Sequence, residues 1–213
     1  MAIAFDNSTQ GPQASSPGTQ TYSHTCTGSN LILYVHVYTN PDNSNKVSGV
    51  TYNGVSMTLV NISGGLLGAG TAYLYRLVGP ATGANNVVVT YSGATFGVSV
   101  ATSYTGAKQS GGVFVSNTNT GASTDTVTLT PNSANNWIVM AVASSNAAPT
   151  AGGAAFLRQV GSNVAITAFD TNGAVTGSTS MTANASPGNM GAVAESFEPV
   201  VSASANGNFL AFM

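Results

Sequence analysis

Apolar residues recur at every second position in short runs along this chain, and clusters of Gly, Asn, Ser, Asp or Pro cut each run off. A period of two places successive side chains on opposite faces of an extended strand. No segment sustains apolar residues at i, i+3, i+4 and i+7 for three turns, so helix is at most a minor component. In the clearest run, Leu31, Leu33, Val35 and Val37 share one face while Ile32, Tyr34, His36 and Tyr38 share the other. Val47 to Tyr52 and Val55 to Val60 flank Asn53-Gly54, which readily takes the two positive φ angles of a type I′ turn, and so predict a hairpin. Runs at 3–5, 19–25, 72–78, 86–91, 96–104, 113–116, 125–130, 137–143, 156–160, 164–169, 178–182 and 192–197 raise the total to about fourteen short strands. The expected fold is all-β, an antiparallel β-sandwich of jelly-roll or Ig-like type; an α/β fold would need helices of about ten or more residues between strands.

The 213 residues suit one large or two small domains. Asn30-Leu-Ile-Leu-Tyr-Val resembles Asn136-Trp-Ile-Val-Met-Ala, and Val100-Ala-Thr-Ser-Tyr104 resembles Val193-Ala-Glu-Ser-Phe197 ninety-three positions later. These echoes fit either a duplicated unit, with halves at about 1–108 and 109–199, or two sheets of one sandwich. No Pro-rich or charged linker separates the halves, so the expectation is one continuous domain over 1–199, followed by a tail over 200–213. Within the tail, Phe209, Leu210, Phe212 and Met213 are candidate assembly contacts, either in cis or on a neighbouring subunit.

Only ten residues carry charge: Lys46, Arg76, Lys108, Arg158, Asp6, Asp42, Asp125, Asp170, Glu195 and Glu198. Four scattered cations are too few to displace phosphate counterions, which argues against a nucleic-acid partner. No apolar run approaches the roughly 18 residues of a membrane span, and the first residues lack the basic and apolar regions of a signal peptide. Cys26 is the single cysteine and suits a small buried hydrophobe. Ser, Thr and Asn supply about a third of the chain, so the expected surface is neutral, with little colloidal repulsion to oppose self-association. Such a chain suits a particle assembled inside a cell and extracellular only after release.

Candidate chemistry is sparse, and no cofactor is expected. His24 and Cys26 share a strand face, but a metal site needs three or four ligands and only His36 remains to recruit. There is no Gly-x-Ser-x-Gly elbow, and Glu195 and Glu198, three apart in a strand, point opposite ways rather than forming a glycosidase pair. Asn40, Asp42, Asn43 and Asn45, and again Asp170-Thr171-Asn172-Gly173, offer oxygen ligands; these residue types equally serve as turn formers. An enzyme is therefore not expected. Tyr34, Tyr38, Tyr73, Tyr75 and Trp137 are candidate glycan or partner contacts, because neutral sugars stack on aromatic platforms; core packing accounts for the same rings.

Strand edges invite further strands, and monomeric β-proteins guard them with Lys, inward charges or Pro. Two Lys and two Arg are little protection here, which makes coverage by neighbouring copies the natural expectation. The opening Met1-Ala-Ile-Ala-Phe-Asp6, the stretches 22–31, 49–58 and 77–87, and Ser103-Tyr-Thr-Gly106 together resemble a group of uncharacterised phage-associated and environmental β-sandwich proteins. The resemblance spans most of 1–199 and consists of strand-and-turn grammar without a catalytic signature. It implies a non-enzymatic virion role, as a capsid decoration, surface or fibre subunit that self-associates or docks on other virion proteins. The alternative from the residues is a carbohydrate-binding β-sandwich module.

Overall fold

The computed structural model describes residues 1–14, 18–40, 45–64, 68, 70–93, 96–144 and 147–201. It is all-β, with fifteen strands and one 3₁₀ turn at Ser162–Val164 among those residues. Nine strands come from the first half: β1 Ala4–Gln10, β2 Thr19–Cys26, β3 Ile32–Asn40, β4 Val47–Tyr52, β5 Val55–Ser56, β6 Thr58–Gly64, β7 Thr71–Val78, β8 Gly83–Tyr91 and β9 Phe96–Thr105. The second half supplies β10 Val115–Leu129, β11 Trp137–Ser144, β12 Thr150–Gly153, β13 Phe156–Val160, β14 Ile166–Asp170 and β15 Thr179–Phe197.

In the first half, β1-β9-β3-β7-β6 form one sheet and β2-β8-β4-β5 another. The pairing is nested: β1 with β9, β2 with β8, β3 with β7, and β4 with β5 across the predicted Asn53-Gly54 turn, where φ is 49° and 75°. Nested pairing of this kind is a long antiparallel ribbon rolled into a two-sheet jelly roll. After β5 the chain crosses at Met57 from one sheet to the other, so the single predicted run 55–60 is in fact two short strands in different sheets.

The second half repeats this order. The first part of β10 pairs with the last part of β15, the last part of β10 with the first part of β15, and β11 with β14. The inner sheet runs β10-β15-β11-β14-β13, while β12 joins the far part of β15. Here the outer ribbon is unbroken. Runs expected to be four separate strands are two long ones, because β10 creases between Ala122 and Thr124 and continues beyond. Ser123 adopts φ 65° at the crease, and a Cβ on Gly121 would lie 2.0 Å from the Thr124 carbonyl oxygen, so only glycine permits so tight a fold. The two limbs of β10 then lie together, with Asn117 and Asn119 side chains donating to the Thr128 and Thr126 carbonyls at 3.1 and 3.0 Å.

The five-stranded sheet of the first half and the β10-β15-β11-β14-β13 path of the second half's six-stranded sheet stack face to face. β10 lies against β6, β15 against β6 and β7, β14 against β3 and β9, and β13 against β1 and β9, with β3 and β11 crossing at the centre. Each contact thus has a counterpart with the halves exchanged, which is the pattern of an isologous dimer within one chain. Three cores result. One fills the seam, with Ile32, Tyr34, Leu74, Val100 and Tyr104 meeting Trp137, Val139, Ile166, Val193 and Phe197. The other two fill the jelly rolls, around Leu33, Val35, Tyr52 and Val89, and around Ile138, Met140, Phe169 and Met181. β3 and β11 are therefore buried on both faces, as their nearly unbroken apolar sequences require.

Strand registers refine the internal echoes. Ile32 pairs with Tyr104 and Trp137 with Phe197, so the echo at 100–104 and 193–197 is structurally in phase and makes Ile32 the counterpart of Trp137. The Asn30 and Asn136 alignment is one residue out of phase, and a one-residue slip in a strand exchanges its two faces.

Candidate interaction surface

All five aromatic candidates lie in the interior. Tyr34, Tyr38 and Trp137 belong to the seam core, and Tyr73 and Tyr75 to the first jelly-roll core; the most exposed, Trp137, retains 7% of its surface. Tyr34 and Trp137 each pack edge-on or tilted against a seam ring, with Tyr104 common to both at 6.3 and 5.9 Å. A sugar platform needs an open ring face, so these residues do not form one; the core reading of the same rings describes them.

The metal and acid-base candidates are likewise structural. His24, Cys26 and His36 are buried. The His24 ring contacts the hydroxyls of Thr9 and Ser103 at 2.9 and 3.1 Å, and His36 contacts Thr102 at 3.0 Å. Burial pushes the pKa of His24 down to about 4, against the pull of nearby Asp6, and that of His36 to about 3. Both imidazoles are consequently neutral near pH 7. No three His, Cys, Asp or Glu side chains come together among the described residues. The Asp170-to-Gly173 segment is a turn: Asp170 accepts from the Asn172 amide at 2.8 Å, and Thr171 donates to the Gly173 carbonyl at 2.8 Å. In the other oxygen-rich loop, Asn45 accepts from the Val47 amide at 3.1 Å, while Asp42 and Asn43 lie outside the described residues.

Glu195 and Glu198 do diverge, and each closes an ion pair. Glu195 meets Arg76 at 2.6 Å and Glu198 meets Lys108 at 2.7 Å; the third pair, Arg158 with Asp170, spans 2.5 Å. Burial raises the Glu195 pKa despite Arg76, whereas at Glu198 Lys108 and Asn132 outweigh burial and hold it below its ordinary range. Arg76 also stacks on Phe114 and Arg158 on Phe5, at 3.5 and 4.3 Å. Asp6 accepts from the Thr27 amide and hydroxyl and from Ser103. Arg76, Lys108 and Arg158 are thus spent on internal partners, and hydroxyls and amides dominate the outer layer. Thr126 with Thr182 and Thr128 with Ser180, bonded across β10 and β15 at 3.0 and 2.8 Å, typify it.

Asp125 is the exception to pairing. It is 1% exposed beside the β10 crease, and neither carboxylate oxygen has a close hydrogen-bond partner among the described residues. Burial raises its pKa to about 6, moderated by Asn119 and the Thr126 amide. As pH rises through the ordinary value the unfolded carboxyl ionises first, so the fold loses stability between about pH 4 and 6 and does not regain it above. Asp125→Asn should therefore raise the unfolding midpoint at pH 8 and leave it nearly unchanged at pH 4, measured by urea titration at both pH values. Equal shifts at the two pH values would contradict this account.

Two matching edges carry exposed apolar residues, while Met1, Val113 and Val201 are exposed elsewhere. Val55 and Leu59 are exposed on β5 and β6, and Phe156 and Leu157 on β13. β6 and β13 are counterparts, each bulged one residue later, with Leu59 opposite Tyr75 and Leu157 opposite Phe169. They occupy opposite sides of the stacked sheets, since β6 borders β10 while β13 borders β1. The sequence signal was available: Leu59-Val60 and Phe156-Leu157 are adjacent apolar pairs, and two neighbours in a strand cannot both face one core. An open groove of about 550 Å³ lies elsewhere, lined by Met1, Ala2, Ala134, Ala174, Val200 and Val201 with Lys108 and Glu198 at hand. The tail candidates Phe209, Leu210, Phe212 and Met213 lie outside the described residues. Among the described residues, no helix is long and apolar enough to cross a membrane. No protein-family model, curated protein or solved structure matches the chain.

Proposed function

We propose that this chain is a non-enzymatic structural subunit of a phage-like virion, a capsid decoration, surface or fibre protein that self-associates or docks on the particle. The observation that carries the reading is the surface: it is neutral and rich in hydroxyls and amides, and two counterpart edges on opposite sides of the stacked sheets carry exposed apolar residues, Leu59 on β6 and Phe156 with Leu157 on β13. Weak charge repulsion favours association, and patches on opposite sides give each copy two points of attachment. Both histidines, the side chains best suited to proton transfer near neutrality, are buried in structural contacts, in keeping with a non-enzymatic role. Jelly rolls recur in capsid proteins and lectins, an analogy of fold alone. The carbohydrate-binding alternative is weakened because the five rings assigned to it are enclosed.

Light scattering over a concentration series tests the self-association. The full chain should exceed its monomer mass of 21.2 kDa, and Leu59→Lys with Leu157→Lys should return it to that mass without lowering its melting temperature. A wild-type chain that remains monomeric throughout would remove self-association from the proposal and leave docking on the particle, tested by cosedimentation with capsids.

A further inference from the structure

We infer that the groove beside Val200 and Val201 is the docking site for this chain's own Phe209–Met213 segment, bound in cis. The groove forms where five pieces of chain converge: the segment before β1, the stretch around Lys108 that joins the two halves, the turn at 133–135, the turn at 174, and the strand exit after β15. Its wall is mainly apolar, from Met1, Ala2, Ala134, Ala174, Pro199, Val200 and Val201. Met1 and Val201 remain 55% and 78% exposed there, large apolar surfaces that a folded chain tends to cover. Lys108 and Glu198 pair with each other at 2.7 Å, and the Met1 ammonium donates to the Val200 carbonyl at 3.1 Å. Each charged group beside the groove therefore already has a partner.

The location of the chain supplies that occupant. The Lys108 amide donates to Glu198 at 2.9 Å and the Val200 amide to Gly106 at 2.8 Å, which anchors the exit strand as one wall of the groove. The described residues stop at Val201, in that wall, and the sequence continues with Ser-Ala-Ser-Ala-Asn-Gly-Asn and then Phe-Leu-Ala-Phe-Met. A spacer of seven small residues reaches at most about 23 Å at 3.3 Å per residue, enough to turn back on the groove but not to cross the molecule. So short a tether gives a local concentration of order millimolar, well above that of a second copy in dilute solution, and this favours the segment of the same chain. The apolar run and the apolar groove match in polarity, and each covers what the other leaves exposed.

The inference stands apart from virion assembly through the β6 and β13 edges, and the test keeps the two distinct. A fluorescent peptide of sequence Phe-Leu-Ala-Phe-Met is titrated into the full chain and into a chain ending at Asn208. The shortened chain should bind it at least about tenfold more tightly, because the tethered segment competes in the full chain. Ala174→Arg, at an exposed position in the groove wall, should abolish that binding in the shortened chain while leaving its melting temperature unchanged. Light scattering of both chains should give the same mass. Equal peptide affinity for the two chains, or binding to neither, would overturn the inference. A mass that falls on shortening would also overturn it, by placing the segment on a neighbouring copy, while the edge variants separately report on assembly.

Discussion

Arg76→Ala is expected to destabilise the protein by about 3–5 kcal/mol in equilibrium urea unfolding, the range for stranding one member of a buried ion pair. Arg76 extends from β7 in the first half to Glu195 on β15 in the second, and Tyr34 donates to the other Glu195 oxygen at 2.9 Å. Glu195 is 3% exposed, so without the guanidinium its charge has neither water nor a cation to stabilise it. The substitution also strips the cation from the Phe114 ring. Arg76→Met combined with Glu195→Gln should recover most of the loss, because it removes both charges and keeps the volume. A single variant within 1 kcal/mol of wild type would show that the seam does not depend on this pair. By strand register the counterpart of Arg76 is Asp170, which is itself paired, to Arg158. The two halves thus repeat in topology while placing opposite charges at equivalent positions.

Tyr104→Ala should cost a similar amount, about 3–5 kcal/mol, whereas Tyr104→Phe should lie within about 1 kcal/mol of wild type. Tyr104 is fully buried at the middle of the seam, with ring centroids of Phe197, Phe5, Trp137 and Tyr34 between 5.4 and 6.3 Å away. Truncation opens a cavity whose walls come from both halves and cannot close without shifting a sheet. The hydroxyl makes no well-formed hydrogen bond among the described residues, although Asp170 and Thr102 are near, so its removal forfeits little. The counterpart position already carries phenylalanine, at Phe197. Thermal unfolding of the two variants side by side checks both expectations, and a Tyr104→Phe loss as large as that of Tyr104→Ala would assign the residue a polar role instead.

Much of the strand content could be read from the sequence, because period-two alternation and turn chemistry are local. The Asn53-Gly54 hairpin required only two residues that tolerate positive φ, and both adopt it. The run 31–38 announced a strand apolar on both faces, and such a strand must be covered on both sides. Strand continuity was less visible. The Gly121 crease and the Met57 crossing look like ordinary breaks in a one-dimensional pattern, though one joins two runs into a single strand and the other splits a run between sheets.

The surface was the least legible part. Tyr34, Tyr38, Tyr73, Tyr75 and Trp137 have the same sequence signature whether they face water or a second sheet, and only the stacking of the two halves encloses the seam rings. The exposed edges at Leu59 and Leu157 follow from bulges whose positions depend on the strands they pair with.

By itself, the sequence determined the all-β class, the hairpin, the burial of Cys26 and a surface nearly devoid of charge, since each depends on residue type and near neighbours alone. The tertiary structure decided that the chain rolls into two jelly rolls related by a pseudo-two-fold, that Arg76, Lys108 and Arg158 pair internally with Glu195, Glu198 and Asp170, and which apolar residues remain outside. Those outcomes depend on contacts between residues as far apart as Arg76 and Glu195, and no local pattern encodes which strand a distant strand will meet.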